Sequence, residues 1–128
     1  MDIVTKKQLN ILIQLAEADK HFATAERDMI FKISRDRKFP DDSVQALIKN
    51  PEPIGTLGAL LPDQKFNYLL ASIEVIFVDQ KVFESELIFA RSIAIKLGFK
   101  KSMVDFLVEN YQKMNPAELK TRAMADFS

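Results

Sequence analysis

Hydrophobic residues recur at intervals of three and four along most of the chain, the spacing that places them on one face of an α-helix. The first such pattern runs from residue 3 to 18 and includes Leu9, Leu12 and Ile13. Further helices are predicted from residue 23 or 24 to the basic run at 32–38, and over 41–49, 63–78, 84–97, 100–113 and 115–127. Because the alternation typical of strands does not occur, we expect an all-α protein.

Short sequence signals mark two of the predicted helix starts. Thr5 and Gln8 have the spacing of a capping box, in which each side chain bonds to a backbone amide at the start of the helix. Asn115, Pro116 and Glu118 combine a capping residue, a first-turn proline and a third-position glutamate. Both signals predict that a helix begins there.

The chain matches itself when it is shifted by 60 residues. Nine of the 42 positions from residue 9 to 50 are identical to their counterparts, where average composition gives about two or three. The identical pairs are Leu9/Leu69, Ile13/Ile73, Asp19/Asp79, Glu26/Glu86, Ile33/Ile93, Phe39/Phe99, Val44/Val104, Leu47/Leu107 and Asn50/Asn110. The match predicts a duplicated three-helix unit, and neither copy alone could cover its apolar face.

The predicted organisation is a single domain over residues 1–128. It comprises repeat one at 3–50, a connector at 51–62, repeat two at 63–113 and a C-terminal amphipathic helix at 115–127. Three of the five prolines and two of the three glycines crowd into the connector, which leaves room for at most one short helical turn. The helix over 63–78 is apolar on nearly every side except at Glu74, so we expect it at the centre of a bundle.

Composition and charge exclude several classes of protein. The 18 basic and 18 acidic residues cancel, so the chain lacks the basic field of a nucleic-acid binder, and no nucleic-acid partner is expected. The absence of cysteine excludes disulfides, thiolate zinc sites and a cysteine nucleophile. Neither a signal peptide nor a membrane span is expected, because the N-terminus is charged and the densest apolar run, residues 68–78, is too short. A cytoplasmic location is therefore expected.

Two acidic turns hold the candidate chemistry. Asp19 and Glu26 flank the first turn, and Asp79, Glu84 and Glu86 flank the second. A short turn folds two helix ends together, so each aspartate is expected near its glutamate. Carboxylates with nearby carbonyls suit a hard divalent cation, calcium or magnesium, although the spacing does not fit an EF-hand loop. These five residues are the candidate metal ligands, and the second turn is the better of the two sites.

A purely structural role is the other interpretation of these carboxylates, and the one that the sequence favours. Glu26 and Glu86 fall in the first turn of a helix, where a carboxylate can accept backbone N–H groups. Asp19 and Asp79 can bond to the turn backbone in the same way. Basic residues in both turns also reduce the negative potential that would attract a cation.

Both turns resemble the motif of the TerB-like family, the tellurite-resistance-associated domains. That motif is Ala-Asp-Gly, an apolar residue two positions further on, and a glutamate seven positions after the aspartate. It is matched by Ala18-Asp19, Phe22 and Glu26, and by Val78-Asp79, Val82 and Glu86, with Lys20 and Gln80 at the glycine position, while Leu97-Gly98-Phe99 resembles the close of the family's second helix. The resemblance covers about residues 9–111. It implies a duplicated all-α fold, divalent-cation binding by the acidic residues, and a role in stress-linked complexes near the membrane.

Three function classes are compatible with the sequence. The preferred one is a non-catalytic interaction module with a protein partner, because no nucleophile–base pair, phosphate loop or cofactor fingerprint occurs. Its partner surface is expected on the C-terminal helix, where Leu119, Ala123, Met124 and Phe127 could dock on this chain or on another. A divalent-cation sensor is the alternative. A carboxylate-dependent hydrolase is third, because it requires a water-bearing cleft and nothing in the sequence outlines one.

Overall fold

A computed structural model describes residues 3–18, 24–55, 57–78 and 84–128 of the chain, and all regular secondary structure within them is α-helical. The helices are α1 (Ile3–Ala16), α2 (Thr24–Asp36), α3 (Asp41–Lys49), α4 (Pro62–Val78), α5 (Glu84–Lys96), α6 (Ser102–Asn110) and α7 (Pro116–Phe127). The all-α class predicted from the sequence is therefore confirmed. None of the described helices is both long and apolar enough to cross a membrane.

The two predicted helix starts have different outcomes. At α7 the prediction is confirmed, because the Asn115 side chain accepts a hydrogen bond of 2.8 Å from the amide of Glu118. At α1 the predicted capping box is wrong. The helix already begins at Ile3, so Thr5 and Gln8 lie within it, and both are buried.

The connector is fastened to α1 by polar side chains. Asn10 donates to the carbonyl of Glu52 at 2.9 Å and accepts from its amide at 3.0 Å. Gln14 donates to the same carbonyl at 2.7 Å, and Lys6 forms an ion pair with the Glu52 carboxylate at 2.8 Å. These bonds hold an otherwise irregular segment in one place. Its predicted end moves by one residue, because Pro62 is already the first residue of α4.

Helices α1 and α4 form the centre of the bundle. α1 packs against α2, α3, α4 and α5, while α4 packs against α1, α2, α5 and α6. Side chains without solvent exposure include Leu9, Leu12, Ile13 and Leu15 on α1, and Leu69, Ile73, Val75 and Ile76 on α4. The central position predicted for the helix over 63–78 is confirmed, and α1 shares it.

The packing of the first three helices recurs in the next three. The pairs α1–α2, α1–α3 and α2–α3 correspond to α4–α5, α4–α6 and α5–α6, and the cross-pair α2–α4 corresponds to α1–α5. α2 and α5 also begin and end 60 residues apart. These are the pairs that a duplicated unit requires, although the duplication itself stays a prediction from the sequence.

α2 and α5 end in the same backbone motif. Lys38 and Gly98 have left-handed backbone conformations, with φ of 58° and 88°. The amides of the buried residues that follow, Phe39 and Phe99, donate to carbonyls five residues earlier at 2.8 and 2.9 Å. This is the Schellman arrangement, in which glycine is preferred at the left-handed position. The first half of the chain carries lysine there, and the second half carries glycine.

This difference predicts opposite effects of substitution at the two positions. Lys38→Gly is expected to raise the free energy of unfolding by about 1 kcal/mol, because a Cβ is unfavourable at positive φ. Gly98→Ala is expected to lower it by about 1 kcal/mol for the same reason. Urea denaturation followed by circular dichroism measures both values. Lys32→Gly, an exposed position inside α2, is the control and is expected to destabilise by about 1 kcal/mol. A destabilising effect of Lys38→Gly would contradict the assignment.

Candidate functional site

The predicted acidic turns lie partly outside the described residues. Asp19 and Asp79 are not among the residues that the structure describes, and neither are Phe22 and Val82, which the sequence places at the same position of the two turns. The expected proximity of each aspartate to its glutamate therefore stays a prediction.

The described carboxylates of the two turns have contrasting surroundings. Glu26 and Glu86 are the third residues of α2 and α5, and both are buried, at 1% and 0% exposure. Glu84 is exposed instead, and its carboxylate lies 3.4 Å from the guanidinium of Arg91. Arg91 also binds Asp105 on α6 at 2.7 Å. The pKa of Arg91 is raised chiefly by its hydrogen bond to Asp105, with Glu84 adding to the effect.

The described residues do not form a metal site by themselves. Within residues 3–18, 24–55, 57–78 and 84–128, no group of three or more His, Asp or Glu side chains is arranged to hold a metal ion. Glu84 and Glu86 also differ in burial, and the charge of Glu84 is directed at Arg91. A cation site at these turns would depend on Asp19 and Asp79, so it stays a prediction.

The C-terminal helix, predicted as a partner surface, docks on this chain. Leu119 and Ala123 are buried, and α7 packs against α6. The ring of Phe127 lies 5.1 Å from that of Phe106, and the amide of Lys100 donates to the carbonyl of Phe127 at 2.8 Å. Of the two alternatives that the sequence left open, the structure therefore shows docking within the chain.

A surface that the sequence patterns did not single out lies on α5. Ile88 and Ile95 are 58% and 60% exposed, and the exposed Ser92 lies between them. We call these three residues the α5 face. They are spaced by four and three residues, so they share one side of the helix over about 10 Å. Residues 87–90 and 93–95 are all apolar and together encircle the helix, a pattern typical of a buried element.

An open groove runs beside the α5 face. It has a volume of about 630 Å³ and lies between α5, the end of α1 and the start of the connector. The described residues that line it are Gln14, Glu17, Ala18, Pro51, Ser85, Ile88, Phe89 and Ser92. The α5 face and this groove therefore form one continuous and largely apolar surface.

Among the described residues that line the groove, Glu17 is the one with a charged side chain. It is partly buried, and this burial raises the pKa of its carboxyl group above the usual value. Within the part of the chain that the structure describes, Glu17 takes part in no ion pair. The groove thus presents one partly desolvated carboxylate at its edge, next to an apolar floor.

The corresponding helix in the first half of the chain has a different surface. Asp28, Lys32 and Arg35 stand 60 residues before the members of the α5 face, and all three are exposed. The outward side of α2 is therefore charged where that of α5 is apolar. The solvent-facing side of a helix usually carries charged residues, so the apolar α5 face is the unusual one of the two.

The groove also has a counterpart in the other half of the chain. Glu17 and Pro51 correspond to Phe77 and Tyr111, whose rings stack with centroids 5.6 Å apart and an interplanar angle of 6°. Two stacked aromatic rings thus occupy the positions at which the α5 groove has a carboxylate and a proline.

Glu74 lies close to this aromatic pair. It is half-buried, and this burial raises the pKa of its carboxyl group. The pKa of Tyr111 is raised chiefly by the burial of its own hydroxyl group, and the charge of Glu74 adds to the effect. Glu74 is the exception to the apolar surface of α4 that the sequence indicates, and it is partly exposed. The carboxylate-dependent hydrolase considered from the sequence would require a second acidic group beside Glu74 if Glu74 were one of its pair.

Comparison of the chain with models of protein families, with curated proteins and with solved structures finds no match. The class that the fold and the described surface define is an all-α bundle with an open apolar groove beside an exposed helix face.

Proposed function

We propose that this chain is a non-catalytic protein-interaction module of the TerB-like type, and that the α5 face and its groove are the docking surface. The observation that carries the proposal is the exposure of Ile88 and Ile95 beside an open groove. Contiguous exposed apolar surface commonly marks an interaction site. Its burial is favourable, at about 25 cal/mol per Å² of apolar area.

The shape of the surface favours a protein over a small molecule. Small-molecule sites enclose most of their ligand, at about 70–90% of its surface. The groove is instead open along its length and follows about two turns of α5, from Ser85 to Ser92. A helix laid into such a groove contacts it through residues four and three positions apart. The spacing of the α5 face itself is of this kind.

The proposed duplication explains why one side of the molecule is distinguished. Two copies of a three-helix unit would place α2 and α5 in equivalent positions, and their helix lengths and packing pairs correspond. A charged face on α2 and an apolar face on α5 would then be a divergence between the copies. This divergence supports a docking role for the second repeat of the chain.

Site-specific photo-crosslinking tests the proposal in the cells that make the protein. A photoreactive benzoylphenylalanine at Ser92 is expected to form covalent adducts with a protein, because it would lie at the centre of the docking surface. The matched control is the same substitution at Lys32, the equivalent position on α2. Adducts at Ser92 that exceed those at Lys32 and that are lost with Ile88→Asp support the proposal. Equal or absent adducts at both positions would refute it.

The divalent-cation sensor remains the alternative predicted from Asp79, Glu84 and Glu86. Its test is a calorimetric titration of the full chain with calcium, magnesium and zinc at up to about millimolar concentration, the range of the weaker protein calcium sites. Saturable heat that is lost in Asp79→Ala would favour the sensor. Absence of such heat would favour a structural role for the acidic turns. It would also show that this chain lacks the cation binding that the family resemblance implies.

A further inference from the structure

We infer that the occupant of the α5 face is a second copy of this chain, whose own α5 lies antiparallel across the first. The inference rests on the proposed function and names the partner of that surface. It follows from two properties of α5 and its surroundings: the order of residues along the α5 face, and the position of one carboxylate and one ammonium group at its opposite ends.

The α5 face is complementary to itself when the second helix runs in the opposite direction. Ile88 and Ile95 lie on either side of Ser92, at four and three residues from it. A two-fold axis near Ser92 therefore brings Ile88 of one copy against Ile95 of the other, and this contact is made twice. Two-fold pairing of one surface with itself is the commonest arrangement of homo-oligomers. The small serine side chains at the axis allow the two helices to approach closely.

The charges at the two ends of the surface match in the same arrangement. Glu17 lines the groove beside Ser85 and Ile88, near the first half of α5. Lys96 is the last residue of α5, is exposed, and forms no ion pair among the described residues. An antiparallel second copy carries its Lys96 to the Ile88 end of the first copy. Each ammonium group then lies next to the partly buried Glu17 carboxylate of the other chain, and the pair forms twice.

The remaining charges on α5 are compatible with this pairing. Arg91 lies close to the proposed axis, where two copies would meet, but its charge is already balanced by Glu84 and Asp105 at 3.4 and 2.7 Å. Lys100 and Lys101 follow the end of α5, so the antiparallel arrangement brings basic residues toward the acidic start of the other helix. Such complementarity fixes the register and direction of association.

The equivalent surface on α2 would not pair in this way. A two-fold axis at Lys32 would set two ammonium groups against each other and Asp28 against Arg35, so the contact would join exposed charged side chains and would bury no apolar face. Self-association is therefore expected through α5 alone. Because the surface amounts to one helix face and one groove edge, we expect a weak dimer with a dissociation constant of about 10–100 µM.

Sedimentation equilibrium of the purified full chain, from about 5 to 500 µM, tests the inference across the expected range. The wild type is expected to shift from monomer to dimer, and Ile88→Asp is expected to remain monomeric. The matched control is Leu61→Asp, which places the same charge on a 65% exposed apolar residue outside the α5 face and should leave the equilibrium unchanged. A wild type that is monomeric at all concentrations, or a dimer that survives Ile88→Asp, overturns the inference.

A charge exchange tests the register and does not depend on disturbing the apolar contact. Glu17→Lys and Lys96→Glu are each expected to weaken the dimer by about 10-fold, and the double variant is expected to regain most of the loss. Additive losses in the double variant would overturn the antiparallel arrangement. The two proposals can fail separately. If the chain is monomeric and its Ser92 adducts contain a different protein, the inference of a second copy is overturned and the interaction module stands. If the chain is monomeric and forms no adducts at Ser92, both proposals are refuted.

Discussion

Ile73→Ala is expected to lower the free energy of unfolding by about 3–4 kcal/mol, the largest effect of a single substitution that we predict. Ile73 has no solvent exposure and lies on α4, which packs against four other helices. Removal of three carbon atoms there forfeits transfer free energy and leaves a cavity that helices held on several sides cannot close. Urea denaturation followed by circular dichroism gives the value, with the slope of the transition as a check on two-state unfolding.

Two further isoleucines provide the comparison for this prediction. Ile13 is the counterpart of Ile73 on α1 and is also without exposure, so Ile13→Ala is expected to cost a similar amount, about 3–4 kcal/mol. Ile95 is 60% exposed on the α5 face, so Ile95→Ala is expected to change the stability of the monomer by less than about 0.5 kcal/mol. A cost below about 1.5 kcal/mol at Ile73 would show that α4 is not at the centre of the bundle.

The helices themselves could be predicted from the sequence because their signals are local. The spacing of apolar residues, the capping triad at Asn115 and the glycine at the end of α5 depend only on neighbours along the chain. The start of α1 at residue 3 agrees with the sequence pattern, but the predicted capping box fails for the converse reason. Thr5 and Gln8 have capping-box spacing, but they are buried within the helix, and the Gln8 side chain accepts a hydrogen bond from Arg37, which follows the end of α2.

The α5 face could not be separated from the core by periodicity. Residues 87–90 and 93–95 surround the helix with apolar side chains, which the sequence alone assigns to a buried element. α4 has a similar composition and is buried because other helices cover it on several sides. α5 packs against α1, α4 and α6, and its remaining side carries the exposed residues. Exposure was therefore decided by the arrangement of neighbours and not by the helix itself.

The candidate metal ligands illustrate the same limit. Glu84 and Glu86 are two residues apart, and the sequence grouped them with Asp79 as one acidic cluster. In the structure Glu84 contacts Arg91, which is held in turn by Asp105 on α6, and the distance of Glu84 from Asp79 stays a prediction. That arrangement depends on how α6 packs on α5, and no spacing along the chain encodes it. Glu26 and Glu86 are both buried in the first turn of their helices, and the structural role that the sequence favoured for them stays a prediction.

Removal of α7 is expected to produce the second large effect. A chain ending at Met114 should lose about 3 kcal/mol or more of unfolding free energy, because it loses the fully buried Leu119 and the ring of Phe127 and leaves the covered side of α6 exposed to water. Denaturation of the full and the shortened chain under identical conditions measures the difference. Unchanged stability would show that α7 does not belong to the folded core.

Point variants make this result independent of whether the shortened chain folds. Leu119→Ala removes one buried side chain and is expected to cost about 2–3 kcal/mol, whereas Arg122→Ala, at an exposed position of the same helix, should cost less than about 0.5 kcal/mol. If α7 were a docking surface for another protein, the free chain would tolerate both changes equally. A large cost confined to Leu119 would instead follow from its packing within this chain.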